Sequence, residues 1–299
     1  MGGGIVHWKG TVKERLDKWL KRRFSGLSER HVEESLAAGL VHARPGAKRL
    51  RKGLRAWVEA EIEVAPLQAH LARLRQGNPD MIVPVVGEGD GFVVVHKPPG
   101  MPSHPISLMD FGTITHWAFH QYPESRAEFT SMQPTMAPHR LDTGTEGLLV
   151  VALRLAAYEE WRRRFHGKEV TKRYLAWCWG APGKDRFDVA VPLAHDPADR
   201  RKMVAAGVDG ALPAESSVTV ERRLADAFLA GVTCRTGVTH QVRVHLATAG
   251  HPLVGDELYD ARWGERRVRP PYHWLLASSL AWGPEKWEVD ALEFTSRMG

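Results

Sequence analysis

In the stretch His139-Arg140-Leu141-Asp142-Thr143-Gly144-Thr145-Glu146-Gly147, one carboxylate stands beside an arginine just ahead of the apolar run Leu148-Leu149-Val150-Val151-Ala152. An Asp at the mouth of a strand is a candidate for chemistry, because burial raises a carboxyl pKa and a nearby cation lowers it again, keeping a shielded carboxylate ionised. Glu146 offers a second carboxylate, and two carboxylates flanking a glycosidic bond would cleave sugars. Both sit in one short loop, too local to flank a scissile bond. The chain has 15 histidines, which raises metal chemistry. None falls in His-Glu-x-x-His or another compact ligand pattern, and the spacing of His240 and His245 suits one helical face poorly. Cys178 and Cys234 form no Cys-x-x-Cys pair and read as buried thiols. Neither a metal nor a cofactor is expected.

The elements that must position Asp142 can be read from periodicity. Residues 91–97, Gly-Phe-Val-Val-Val-His-Lys, form a buried-type strand that stops at Pro98-Pro99-Gly100. The Asp142 strand follows, then an amphipathic helix over residues 154–166 and an alternating strand over residues 170–179 that puts Lys172, Tyr174 and Ala176 on one face. Val242, Leu246 and Ala249, closed by Gly250, predict a short helix with Arg243 in its first turn. Further short strands and turns complete a mixed α+β domain over residues 81–299. Nearer the N-terminus, Val12, Leu16, Trp19 and Leu20 predict a helix over residues 11–23. Ser28 as N-cap, Val32, Leu36 and a Gly39 stop predict another. Strands at residues 40–43 and 58–64 flank a Pro45-Gly46 turn and a basic run over residues 48–55. Residues 67–80, with the break Gly77-Asn78-Pro79-Asp80, read as a linker, which divides the chain into residues 1–66, a linker and residues 81–299.

A chain of 299 residues, 43% hydrophobic and 25% charged, suits a globular protein of two domains. No window reaches the roughly 18 uncharged apolar residues of a membrane span, and the first residues lack the apolar core of a signal peptide. A cytoplasmic location and no membrane partner are therefore expected. Residues 1–66 hold 14 Lys and Arg against 8 Asp and Glu, whereas the rest of the chain balances at 27 of each. The formal excess of +6 thus sits in the N-terminal fifth. Such a patch is the electrostatic footprint of a polyanion, since basic side chains displace counterions condensed on phosphates; a merely solubilising face is the other reading.

Three motifs, in order, resemble the RluA-like family of RNA pseudouridine synthases. The first is His139-Arg140-Leu141-Asp142, the second Lys172-Arg173-Tyr174-Leu175-Ala176, and the third Thr236-Gly237-Val238-Thr239-His240-Gln241-Val242-Arg243. Weaker echoes are Lys97-Pro98-Pro99-Gly100, Gly250-His251-Pro252-Leu253-Val254-Gly255-Asp256 and Leu275-Leu276-Ala277. The resemblance implies a catalytic Asp142 contacted by Arg243, and a Tyr174 that stacks on the target base and is a candidate for removing its C5 proton. It implies RNA contacts at Lys97, His139, Arg140, Lys172, His240 and Gln241, and a pocket wall at Leu275 or Leu276. Val238 stands where the family has Arg, which implies that an RNA or loop interaction is missing here. The N-terminal order of helices and strands resembles an S4-type RNA-binding domain through Arg15-Leu16-Asp17, Ser28, Gly39 and Val41, with Arg15, Lys48, Arg49, Arg51 and Lys52 as RNA contacts. Glu29 and Arg44-Pro45-Gly46 depart from that pattern. The expected partner is RNA, large-subunit ribosomal RNA ahead of transfer RNA, and the expected state a monomer. A non-catalytic RNA-binding or assembly protein of the same ancestry is the alternative, and an intact Asp142, Tyr174 and Arg243 argues against it.

Overall fold

In a computed structural model of the chain, the described residues are 5–8, 15–44, 60–130, 135–207 and 210–298. They form two compact units: Met1–Ile82 with His104–Met136, and Val83–Ser103 with Ala137–Gly299.

The first unit pairs strands β1 (Ile5–Trp8), β2 (His42–Arg44) and β3 (Ala60–Glu63) in the antiparallel order β1-β3-β2. Helix α1 (Leu16–Arg23) buries Leu16, Trp19 and Leu20 on one stripe. The predicted start at residue 11 lies outside the described residues. Helix α2 (Glu29–Ala37) begins at Ser28, whose Oγ accepts the His31 N–H at 3.2 Å while His31 Nδ1 accepts the Ser28 N–H at 3.2 Å. An imidazole thus replaces the carboxylate of the usual capping box. Glu29 places a negative charge in the first helical turn, where the helix dipole favours it, and Gly39 turns the chain out at φ +67°. The basic run at residues 48–55 lies outside the described residues, and with it Lys48, Arg49, Arg51 and Lys52.

The expected linker is instead mostly helix α3 (Ala65–Gln76). Pro66 is accommodated because a first-turn residue has no helical partner for its N–H. Leu67, Leu71 and Leu74 fall on one stripe and join Leu16, Leu20, Val32, Ile62 and Leu108 in a single core. Gly77, at φ +80°, ends the helix where a Cβ would lie 2.3 Å from the His120 backbone nitrogen. Helix α4 (Ile114–Gln121) also belongs to this unit, so residues 104–136, expected in the C-terminal domain, do not pack there.

The second unit has a mixed, mainly antiparallel sheet of nine strands. In chain order these are β4 (Val85–Gly89), β5 (Phe92–Lys97), β6 (Glu146–Ala152), β7 (Thr171–Trp179), β8 (Arg186–Val189), β11 (Ser216–Arg223), β12 (Ala227–Cys234), β13 (Leu275–Trp282) and β14 (Glu285–Glu288), with a separate hairpin of β9 (Leu193–His195) and β10 (Met203–Ala205). The sheet runs β4-β5-β6-β13-β7-β12-β11-β8, and β14 pairs with β13. Only β6 and β13 pair in parallel, through Glu146 opposite Leu276 and Gly147 opposite Ala277. Helix α5 (Leu155–His166) sets Trp161 and Phe165 on Val94, Leu148, Val150 and Leu280. Helix α6 (Gln241–Thr248) sets Val242 and Leu246 on Ala176, Phe228, Val232 and Leu275. Trp177, Trp179 and Leu276, displaced by one residue along their strands, face the other side with Phe294 of α7 (Leu292–Ser296). Both cysteines are buried free thiols.

Gly147 sits at φ +112°, and a Cβ there would meet the Ala277 backbone oxygen at 2.3 Å. Gly147→Ala is expected to destabilise the second unit by about 2 kcal/mol or more, from backbone strain and overpacking together. Gly183→Ala, with nothing near the added methyl, should stay within about 0.5 kcal/mol of wild type. Denaturant midpoints of the two variants check the contrast.

Candidate active site

Asp142 lies in the loop that leads into β6, and the loop is fastened on several sides. The buried Lys97 ammonium donates to the carbonyls of Pro98, Met101 and Thr143 at 3.0, 2.8 and 3.2 Å. The Ser103 hydroxyl bonds the Leu141 carbonyl at 3.1 Å, Thr145 N–H donates to the Asp142 carbonyl at 3.0 Å, and the Thr145 hydroxyl lies 2.8 Å from His273 Nε2. His139 accepts the Val150 N–H at 2.9 Å and stacks on Phe165 at 4.1 Å. Burial, with Lys172 adding to it, lowers the His139 pKa to about 3 and keeps the ring neutral.

Arg243, in the first turn of α6, forks onto Asp256 at 2.7 and 2.8 Å and sends Nη1 to Asp142 Oδ2 at 3.1 Å. The Asp256 side chain is fully buried and also accepts the N–H groups of Leu258 and Tyr259. A planar guanidinium satisfies two carboxylates at once, which a lysine ammonium cannot do in fork geometry. His240 Nε2 stands 3.8 Å from the same Asp142 oxygen. Burial pushes the Asp142 carboxyl up, but His240, Arg243 and His273 outweigh it and hold the group below the ordinary carboxylate range. Tyr174 faces the cavity from β7, and burial, then Cys234 and Asp142, push its phenol well up, so it stays protonated at neutral pH.

Asp142, Tyr174, His240 and Arg243 line one cavity of about 940 Å³ with Leu275 in its wall, near the upper end of the roughly 300–1,000 Å³ usual for ligand sites. Arg140, Arg162, Arg163, Lys168 and Arg235 also line it. Apart from Arg140, these cations are hidden in the sequence because the charge of residues 67–299 sums to zero, although several of its positive members line this cavity. The run Arg162-Arg163-Arg164 at the end of α5 is the available signal.

The structure brings Asp142, Tyr174, Arg243 and Leu275 together with the expected RNA contacts His139, Arg140, Lys172, His240 and Gln241 along one cavity, and several of the expected contacts also hold structural bonds. Lys97 is fully buried and ties the Asp142 loop, out of reach of RNA. Lys172 donates to the Thr236 carbonyl at 2.6 Å, and Gln241 bonds the Thr236 hydroxyl, the Glu215 carbonyl and Ser216, so both brace the turn before α6. His139 braces β6. Leu276 lies on the opposite sheet face from Leu275. Arg15 pairs with Asp17 at 3.0 Å in the first unit. Glu146 is bound by both Arg297 nitrogens and is no partner to Asp142. Asp256, Tyr259 and His273 have roles that the sequence does not announce; Asp256 reads there as part of a structural loop. Val238, like Tyr259, packs against the cluster of Leu193, Met203, Ala214 and Val244.

Asp256→Asn weakens one prong of the clamp on Arg243 and removes a buried charge. It is expected to lower the melting temperature by freeing the guanidinium, and an unchanged melting temperature would count against the clamp.

A family model described as RNA pseudouridylate synthase matches residues 91–248. An uncharacterized RNA pseudouridine synthase of Synechocystis is 30% identical over 91% of this chain and 82% of its own length. The dual-specificity RNA pseudouridine synthase RluA of Escherichia coli K12 is 34% identical over 66% of this chain and 84% of its own, and the ribosomal large subunit pseudouridine synthase D of Nitrosomonas europaea 33% identical over 66% and 56%. Among solved structures, human RNA pseudouridylate synthase domain containing 1 superposes with a TM-score of 0.57 at 27% identity, covering 72% of this chain and 86% of that one. With the matched model spanning more than half of its residues, the chain belongs to the RNA pseudouridine synthase family.

Proposed function

We propose that this enzyme isomerises particular uridines of structured RNA, large-subunit ribosomal RNA first and transfer RNA second, with Asp142 as its catalytic carboxylate. The reaction breaks the bond between uracil N1 and ribose C1′, turns the base and joins C5 to C1′; the C5 proton leaves and N1 gains one. The observation that carries the reading is the 3.1 Å contact of Arg243 with Asp142 at the wall of a cavity shared with Tyr174 and Leu275. An ionised, partly desolvated carboxylate is what an isomerisation at the anomeric carbon needs, since it acts through its charge without a redox partner. The Tyr174 ring gives the base a stacking face, and a stacked uridine would have to be flipped into the cavity at a cost of a few kcal/mol. The ribosomal preference is supported by the name of the Nitrosomonas relative. The first unit is proposed as an S4-like RNA-binding module, supported by the +6 charge of residues 1–66.

Asp142→Asn keeps the shape and removes the charge, so the variant should fold, bind RNA and lose at least about a hundredfold in rate. Tritium release from C5-labelled uridine RNA reads it, and near-normal release would exclude Asp142. Arg243→Met takes away the cation that lowers the Asp142 pKa. Residual activity, which needs the ionised carboxylate, should then move to higher pH, and breaking the buried pair should cost about 3–5 kcal/mol of stability. Arg243→Lys, retaining the charge without the fork, should fall between. An unchanged pH profile in both would mean that the two side chains do not interact in solution.

Replacing Lys48, Arg49, Arg51 and Lys52 together with Gln should flatten the dependence of log affinity on log salt by about 0.7 for each single-strand phosphate that the protein ceases to neutralise. The saturating rate on a short RNA should hardly change. Binding titrations at several salt concentrations decide, and an identical slope would make this region a solubilising surface.

A further inference from the structure

Among the described residues only Lys168 and His240 adopt positive φ without being glycine, at 58° and 57°, and both line the cavity that holds Asp142. A non-glycine residue in this region costs on the order of 1–3 kcal/mol, and such strain collects where the surrounding structure demands a particular side-chain direction. His240 precedes α6 but makes no side-chain capping bond. Its ring is turned so that Nδ1 lies 2.7 Å from the Tyr259 hydroxyl and Nε2 3.8 Å from Asp142 Oδ2.

Proton counting favours one direction for the Nδ1 bond. The Tyr259 oxygen accepts the Met203 backbone N–H, supplied by β10, at 2.8 Å. Burial raises the phenol to about 12, so it keeps its one proton at neutral pH. Among the described residues, the remaining hydrogen-bond partner of that hydroxyl is His240 Nδ1; with Nδ1 as acceptor the phenol proton is paired, whereas an Nδ1–H donor would leave it without an acceptor there. Burial also lowers the imidazole pKa, and a neutral ring that accepts at Nδ1 carries its proton on Nε2. Nε2 lies 3.8 Å from Asp142 Oδ2, an electrostatic contact rather than a hydrogen bond. Arg243, Asp256 and Arg140 are the other charges acting on the ring.

Tyr259 also touches the second partner of Asp142, for the Arg243 guanidinium carbon lies 5.0 Å from the centre of its ring. The Arg243 and His240 nitrogens converge on the same oxygen, Oδ2. Among the described residues, no hydrogen bond reaches Oδ1.

We propose that Tyr259 and His240 are positioning residues: Tyr259 fixes the Nε2–H tautomer of His240 and braces Arg243, so that both hold Asp142 by Oδ2 and present Oδ1 to the ribose and uracil. This rests on Asp142 being the reacting carboxylate. The unit Met203 N–H, Tyr259, His240, Asp142 runs from the β9–β10 hairpin to the reaction centre. Val238, packed in the same apolar cluster as Met203 and Tyr259, steadies the middle of it.

Nitrogen-15 NMR of the histidine-labelled full chain near neutral pH tests the tautomer without any assay of activity. The wild type should show His240 protonated at Nε2, and Tyr259→Phe should shift it toward the Nδ1–H form. Single-turnover rates on a uridine-containing ribosomal RNA fragment should fall about tenfold in Tyr259→Phe, the worth of one hydrogen bond, with RNA affinity unchanged. Tyr259→Leu should fall further because Arg243 loses its ring. His240→Gln, which sets an N–H near the Nε2 position, should be faster than His240→Asn, whereas His240→Asn, whose residue tolerates positive φ, should be the more stable of the two. A wild-type Nδ1–H tautomer, an unshifted His240 in a folded Tyr259→Phe, or equal rates for the Gln and Asn variants would each overturn the proposal, even with Asp142→Asn inactive. An active Asp142→Asn would instead remove the functional reading and leave the tautomer result standing.

Discussion

The site depends on how one guanidinium is divided. Arg243 gives its fork to Asp256 and one remaining nitrogen to Asp142. Asp256 is fully buried, so its charge could not persist there without a cation and the backbone donors of Leu258 and Tyr259. Arg243 is therefore immobilised by a partner that does no chemistry, and Asp142 meets a cation whose position is already decided. With two carboxylates on one guanidinium the cluster keeps a net negative charge, and the surplus resides on the more exposed member. This is how a carboxylate can be shielded from water and still ionised.

Much of this arrangement is legible in the sequence, for reasons that differ by element. The strand and helix carrying Tyr174 and Arg243 announce themselves through apolar periods of two and of three to four residues, which report packing directly. The resemblance to the family implies the Asp142–Arg243 pairing, 101 positions apart in the chain. Direction is harder to read. Lys97 is a basic residue in a motif associated with RNA, yet its ammonium group is consumed by three backbone carbonyls, whereas Lys172 gives one bond to the Thr236 carbonyl at the cavity wall. No one-dimensional pattern distinguishes a lysine that reaches outward from one that staples a loop. Leu275 and Leu276 separate only once the register of β13 against β7 is fixed.

The N-terminal boundary fails for a different reason. Residues 67–80 read as a linker on the strength of the break Gly77-Asn78-Pro79-Asp80, but that break only ends a helix, which Pro66 opens from its first turn. The leucine spacing after it is the stronger signal and belongs to α3. Residues 104–136 look like part of the C-terminal domain because chain order suggests contiguity, whereas Leu108 completes the core formed by Leu16, Ile62 and Leu67. A domain is closed by whichever apolar side chains fill it, and those need not be neighbours in sequence.

The parallel pairing of β6 with β13 carries a mechanical meaning. It amounts to two residue pairs, Glu146 with Leu276 and Gly147 with Ala277, and it is where the β4-β5-β6 ribbon meets the remainder of the sheet. Asp142 hangs from the first side of this seam, while Tyr174 and Arg243 belong to the second. The acid and its cation are thus joined across a suture of minimal width, reinforced by Thr145 with His273 and Glu146 with Arg297. Its gauge, set by a glycine too small to hold the strands apart, is in effect the calibration of the distance between Asp142 and Arg243.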